Sequence, residues 1–283
     1  MKAFLLLASL LFIASCTTHL GPRTGTPVTA VKTSGFTVKK DMIYTPKGWP
    51  QAIPADVYQP AGTGPWPGVL LIHGGSWTAK DRRGDMDSIA ERLARRGYVV
   101  MNATYRLAPQ HPHPAQVQDL QQALAWMRGH AAELRLRSDR LATFGYSAGG
   151  HLASLLGAVD APAKLRVQAV VAGGAPSDLR KWPNSRDVVS YLGGTLAEVP
   201  DQYTDASPVT HISRDDPPVF LYHGSLDMLV TVDQAIDYQA ALTKGGVPNE
   251  LLWQRGRGHV PAFFLDGDAI RPAIDFLDRH LRR

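Results

Sequence analysis

The chain has 283 residues, 44% of them apolar and 19% charged, a balance that excludes a disordered or fibrous protein and fits one large folded domain. Its formal charge of +5 comes from 30 basic residues spread among 25 acidic ones, with no basic run of the kind that grips nucleic acid. A single cysteine rules out an intrachain disulfide, and beyond the first residues nothing approaches the ~18 consecutive apolar residues of a spanning helix.

The N-terminus differs in kind. Lys2 supplies a positive start, Ala3 to Ile13 form an apolar run, and the small residues Ala14 and Ser15 precede Cys16, the arrangement of an export signal. Ile13-Ala14-Ser15-Cys16 resembles the bacterial lipobox, in which the chain is cut before the cysteine and that cysteine carries lipid. The resemblance implies a signal peptide over residues 1–15, lipid on Cys16, and membrane attachment through that anchor only. Because Thr17 stands where a retention aspartate could, it also implies the outer membrane of a two-membrane cell envelope. Residues 16–37, rich in Thr, Gly and Pro, read as a flexible tether without secondary structure. Residues 38–283 read as one domain.

From about Val38 onward, short apolar runs alternate with amphipathic stretches, which predicts an α/β fold: a mostly parallel central sheet with helices on both faces. Gly68–Ile72 is an unbroken apolar run, as expected of a strand buried on both sides, and it ends in His73-Gly74-Gly75. Tyr98–Met101 is the next strand. Leu120, Ala123, Leu124 and Met127 recur at helical spacing after Pro114. Leu141–Phe144 is a strand that leads into Gly145-Tyr-Ser-Ala-Gly149, and His151 to Leu156 continues as a helix. Strands follow at Ala169–Ala172, Val219–Tyr222 and Glu250–Trp253, with helices near Val232–Leu242 and Ala269–Leu281.

The motif around Ser147 stands between a strand and a helix, the sharp turn that lifts a serine hydroxyl clear of a sheet. Its glycines answer the crowding of strand and helix at that turn. The helix N-terminus leaves the N–H of Ala148 free to bind a developing oxyanion, and Gly74 and Gly75, directly after an earlier buried strand, would complete the oxyanion hole. A serine needs a histidine to take its proton and a carboxylate to hold that histidine. Downstream, Asp227 follows the Val219 strand and His259 follows the Glu250 strand, both at the carboxyl edge of the sheet. Their competitors fit less well: His280 lies in the terminal helix, His223 precedes the acid, and Asp178, Asp201 and Asp205 belong to an earlier connection. The reading is a serine hydrolase with Ser147 as nucleophile, His259 as base and Asp227 as the acid that orients it.

His73-Gly-Gly-Ser-Trp77, Tyr105-Arg-Leu-Ala-Pro109, Gly145-Tyr-Ser-Ala-Gly-Gly-His151, Leu192-Gly-Gly194, Ala206-Ser-Pro208, His223-Gly-Ser-Leu-Asp227 and Gly258-His259 resemble the motifs of bacterial carboxylesterases of the α/β-hydrolase fold. More narrowly they are similar to the branch near feruloyl esterases and kynurenine formamidases, which is related to hormone-sensitive-lipase-like enzymes. The resemblance covers about residues 40–283. It implies ester hydrolysis through an acyl-enzyme, the roles given above for the matching residues, and no cofactor. In the lipase-like branch the serine motif begins Gly-Asp-Ser and asparagine stands where His151 does here, a departure that argues against lipase-type substrates.

Other readings have less behind them. A metal site could be drawn from His111, His113 and His151, but no carboxylate stands at ligand spacing among them. The same triad serves amides, so amide hydrolysis stays open as the alternative. Between the expected tether and Gly74 there is room for opening strands and no helical cap, which leaves the connection from about Gly174 to Pro218 as cover, with Trp182, Tyr191 and Tyr203 as a partial aromatic wall. Trp77 could line the acyl side or pack in the core. An open site of this kind predicts small-molecule or carbohydrate-linked esters with short or aromatic acyl groups.

Overall fold

The computed structural model describes residues 17–78, 80–158 and 165–282; the expected signal peptide and Cys16 lie outside the described residues. In chain order the strands are β1 (Thr17–Leu20), β2 (Phe36–Ile43), β3 (Pro54–Pro60), β4 (Trp66–Ile72), β5 (Val99–Ala103), β6 (Leu136–Tyr146), β7 (Ala169–Gly173), β8 (Val219–Gly224) and β9 (Asn249–Gln254). The helices are α1 (Asp87–Arg95), α2 (Ala115–Gly129), α3 (Ala131–Leu134), α4 (Ala148–Ala158), α5 (Arg186–Leu192), α6 (Pro200–Asp205), α7 (Val232–Lys244), α8 (His259–Phe264) and α9 (Gly267–Leu281). They form one sheet in the order β1-β9-β8-β7-β6-β4-β5-β3-β2. The strands from β9 to β5 in that order run parallel, and antiparallel strands close both edges.

The unbroken apolar run in β4 follows from its position in this sheet. Leu70 and Ile72 point into the core shared with α2 and α4, while Val69 and Leu71 point into the core shared with α1 and α9. Residues two apart share a face, so a strand covered by helices on both sides has no polar face to show. All four side chains are fully buried.

Strand order decides where the site forms. After β5 the chain crosses back over β4 to lay down β6, and it then continues outward through β7, β8 and β9. The loop after β4 therefore leads to α1 on one face and the turn after β6 leads to α4 on the other. Chains that part in this way leave a crevice at the carboxyl ends of the two strands, where open α/β sheets bind ligands.

The N-terminal segment corrects the expectation of a free tether over residues 16–37. Thr17–Leu20 pairs antiparallel with β9, Thr17 opposite Gln254 and Leu20 opposite Leu251. The chain then crosses the α9 and α1 side of the molecule. The Thr24 N–H donates to Glu250 at 2.6 Å and its hydroxyl donates at 2.9 Å, while Arg279 donates to the Thr24 carbonyl at 2.6 Å. The Thr33 N–H donates to the Arg95 carbonyl at 2.9 Å, and β2 begins three residues later. Glu250 also pairs with Arg279 at 2.7 Å and His19 at 2.9 Å. Burial pushes the Glu250 carboxyl up, but these donors outweigh it and hold the pKa below its ordinary value. Thr17–Thr24 is thus held by Glu250 and Arg279, polar partners more than 200 residues away, rather than by any apolar pattern of its own.

Candidate active site

Ser147 ends the turn between β6 and α4 with φ of 56°, the left-handed region that a β-carbon normally disfavours. The turn is so tight that a Cβ on Gly145 would fall on the Gly149 carbonyl, and one on Gly149 would fall on the Ile72 carbonyl oxygen. Glycine at both positions is a steric requirement. The Ser147 N–H donates to the Gly173 carbonyl at 2.8 Å, which ties the turn to the neighbouring strand.

The three residues expected from separate loops meet here. The Ser147 hydroxyl lies 2.9 Å from His259 Nε2, and His259 Nδ1 lies 2.7 Å from Asp227 Oδ2. Asp227 is buried, and its other oxygen accepts the N–H groups of Leu229 at 3.0 Å and Val230 at 2.9 Å. A carboxylate held in this way accepts a hydrogen bond from the Nδ1–H of His259, which keeps the proton on Nδ1 and leaves Nε2 as the acceptor for the serine. His223, the competing histidine, lies 3.4 Å from the same carboxylate, but it donates to the Val230 carbonyl at 2.8 Å and burial pushes its pKa down. It is a neutral prop behind Asp227.

The glycines after β4 approach the serine from the other side. A Cβ on Gly74 would meet the Tyr146 carbonyl at 3.0 Å and Ser147 Cβ at 3.3 Å, tighter than side chains ordinarily sit, so glycine lets that backbone come near without displacing its neighbours. Gly75, Ser76 and Trp77 all have positive φ, 112°, 53° and 60°, an uncommon run that needs outside support. Trp77 provides it. Its ring is buried and stacks on Tyr191 at 4.5 Å, its indole N–H donates to His151 Nδ1 at 3.1 Å, and its carbonyl accepts the Ala108 N–H at 3.1 Å. His151 in turn donates from Nε2 to the Ala206 carbonyl at 2.6 Å, and burial pushes its pKa down to about 3, which keeps Nδ1 a free acceptor for the indole. Beneath the loop, Tyr105 stacks on His73 at 4.7 Å and donates to the His73 carbonyl at 3.1 Å, which supports the loop from below.

Two clefts meet at Ser147. One, of about 170 Å³, lies on the His259 side between Tyr146, Val260, Phe263 and Phe264, with the Arg82–Asp85 pair at its mouth. The other, of about 150 Å³, lies between Trp77, Ala148, Trp182 and Val188. Of the three aromatics expected as a wall, Trp182 alone borders a cleft; Tyr191 and Tyr203 are fully buried and pack inward. Among the described residues no three metal-ligand side chains stand together. His113 is engaged by Tyr191 at 3.0 Å and Asp205 at 2.7 Å.

Tyr146 is a contributor that sequence reasoning missed. Its hydroxyl donates to the His259 carbonyl at 2.6 Å, fixing the backbone that carries the base, and burial together with the Asp227 charge raises its pKa and keeps it protonated. The sequence marks its position only as a departure, tyrosine where the lipase-like branch has aspartate, and that does not reveal this bond.

The chain matches the BD-FAE family over residues 55–242. It belongs to that family. The BD-FAE match takes in Gly74, Gly75, Ser147, Ala148 and Asp227 and stops short of His259. A probable carboxylic ester hydrolase, LipM, of Mycobacterium tuberculosis is 35% identical over 189 residues, 61% of this chain and 44% of that protein, so the chain spans under half the length of that relative. Among solved structures, a truncated carbohydrate esterase from gut microbiota superposes with a TM-score of 0.78 at 22% identity over 92% of this chain and all of that one, a likeness of fold. A thermophilic esterase from Thermogutta terrifontis, known also with butyrate and with propionate bound, has a TM-score of 0.69 at 25% identity, over 85% of this chain and 89% of that one. This BD-FAE chain has the α/β-hydrolase fold.

Proposed function

We propose that the protein is a serine esterase in which Ser147 attacks the acyl carbon and His259 takes the serine proton. Asp227 orients the histidine, and the N–H groups of Gly74, Gly75 and Ala148 hold the oxyanion. The observation that carries this reading is the hydrogen-bonded chain Ser147–His259–Asp227, at 2.9 and 2.7 Å, opening onto glycines pressed against the serine. Collapse of the tetrahedral intermediate needs a proton on the leaving oxygen, and His259 holds it. The leaving alcohol therefore lies in the cleft that His259 borders, and the acyl group lies in the Trp182 cleft. Water then repeats the cycle and releases the acid.

Substrate size follows from the clefts. Both are smaller than the ~300 Å³ at which ordinary ligand pockets begin, and among the described residues no helix precedes β4 to cap them. Each methylene of a long acyl chain contributes ~0.8 kcal/mol only where a dry pocket receives it. The reading is hydrolysis of short or aromatic acyl esters of small alcohols or carbohydrate, in keeping with the butyrate and propionate held by the Thermogutta esterase. A series of p-nitrophenyl esters of rising chain length, run beside feruloyl esters, acetylated sugars and formyl amides, tests it. Rates should peak at short acyl groups. A peak at long chains contradicts the cleft argument, and amide turnover above ester turnover contradicts the choice of ester.

We infer also, from the pattern ending in Cys16, that the chain is exported and held by lipid at the outer membrane. Cys16→Ser should then abolish fractionation with membranes; retention there by the variant contradicts the anchor.

A further inference from the structure

The exposed apolar side chains are not scattered. Leu226, Met228 and Leu229 stand 63, 91 and 64% exposed in the loop after β8, and Val260, Phe264 and Leu265 stand 58, 63 and 61% exposed in and just after α8. These six make up most of the large apolar side chains exposed among the described residues. The two segments touch: the Leu226 N–H donates to the Arg257 carbonyl at 2.9 Å, and Leu229, Val260 and Phe264 border the cleft beside Ser147. Together they form an apolar rim along the histidine side of the cleft at Ser147, a feature that marks a surface made for contact.

The chain's entry point says what covers it. Thr17 is paired with Gln254, the last residue of β9, and the loop after Gln254 leads in five residues to His259. The N-terminus of the described chain therefore lies at the carboxyl edge of the sheet, the edge that carries the rim. Cys16 precedes Thr17 by one peptide unit, about 3.8 Å between α-carbons. Because Thr17–Leu20 is bound into the sheet, no slack remains between that cysteine and the rim's edge. A lipid chain there would bring this edge, and no other, against the bilayer, and leucine, methionine and phenylalanine are the side chains that enter the headgroup boundary.

We propose that the apolar rim docks on the phospholipid surface, so that the active site opens toward the membrane. This rests on the lipid-anchor reading. Substrate then reaches Ser147 through the gap between protein and bilayer, which admits small esters and shuts out long polymers.

The test uses the full, lipidated chain, whose one native cysteine is occupied. An environment-sensitive dye is placed at Met228→Cys on the rim, or at Ile43→Cys, which is 50% exposed on β2 at the far edge of the sheet. Each protein is reconstituted on vesicles of phosphatidylethanolamine and phosphatidylglycerol carrying a lipid-borne quencher. The dye at position 228 should lose most of its emission and the dye at position 43 almost none. Protein that floats with the vesicles while both dyes stay equally bright, and equally open to an aqueous quencher, overturns the docking and leaves the anchor standing. Lipidated protein that fails to float overturns both readings. Shielding of position 228 that grows with protein concentration in detergent alone assigns the rim to a second copy and overturns the proposal.

Discussion

The two sides of Ser147 are built differently. On the oxyanion side, Gly74–Trp77 is a strained loop braced from below and behind by buried aromatic and histidine side chains: Tyr105 and His73, then Trp77 on Tyr191 and His151. On the histidine side, Asp227 and His259 sit in short segments flanked by exposed apolar residues, braced by backbone N–H groups, by His223 and by the Tyr146 hydroxyl. In the proposed mechanism the oxyanion donors must already be in place when charge develops, which the buried bracing of that side would serve. The proposed base would gain and lose a proton in contact with substrate, which its place nearer the surface would serve.

The contrast separates activity from stability. Ser147→Ala or His259→Ala should lower kcat by about 10⁴- to 10⁶-fold with the melting temperature nearly unchanged. A large loss of stability in either variant would erase the distinction.

Glu250, near the start of β9, joins the N-terminal segment to Arg279. Glu250→Gln removes the carboxylate that pairs with a buried arginine, a change that costs about 3–5 kcal/mol. Urea unfolding should show this, with hydrogen exchange quickening in β1 before β6; an unaltered midpoint contradicts the role given to the segment.

On the oxyanion side, Trp77→Phe keeps the ring stack and removes the indole N–H, leaving His151 Nδ1 buried without a donor. Stability should fall by about 1–3 kcal/mol, and kcat should fall while KM moves little, because the loop holds the transition state more than the ground state. A variant that loses activity with no loss of stability would show that this loop is not braced as described.

The most general effect is on the pH dependence of stability. Burial pushes the pKa values of His73, His113, His151 and His223 down, that of His151 to about 3. The unfolded chain takes up a proton at His151 near the ordinary 6.5 while the folded one does not until about 3, so stability falls with falling pH between those values by about 1.4 kcal/mol per pH unit for this group. Glu250 acts in the same direction lower down. Its depressed pKa contributes stability above its ordinary 4.5 that is lost as pH falls through the folded value. Stability that holds flat from neutral pH to pH 4 contradicts the burial of neutral imidazole.

What could be read in advance was local or ordered along the chain. The turn at Ser147 is written in Gly145 and Gly149 because their crowding involves neighbouring strands and the turn itself. Asp227 and His259 were legible because each follows a buried apolar strand, β8 or β9, in the order the fold requires. The strand at Thr17–Leu20 was not, since Thr-Thr-His-Leu has no period and its partners, Glu250 and Leu251–Gln254, lie at the opposite end of the chain. Tyr191 and Tyr203 were misplaced at the cleft for a related reason: their direction is set by how α5 and α6 pack, which a connection rich in glycine and proline does not reveal.

The most direct test is to look for the acyl group itself. Asp227→Asn enzyme, slow enough to accumulate the intermediate, is quenched in acid during turnover of p-nitrophenyl acetate and its peptides are weighed. The expected result is one acetyl group on the peptide containing Ser147, absent from Ser147→Ala. Steady turnover with no acetyl on that peptide, or with the label on another residue, would contradict the assignment of Ser147 as the nucleophile.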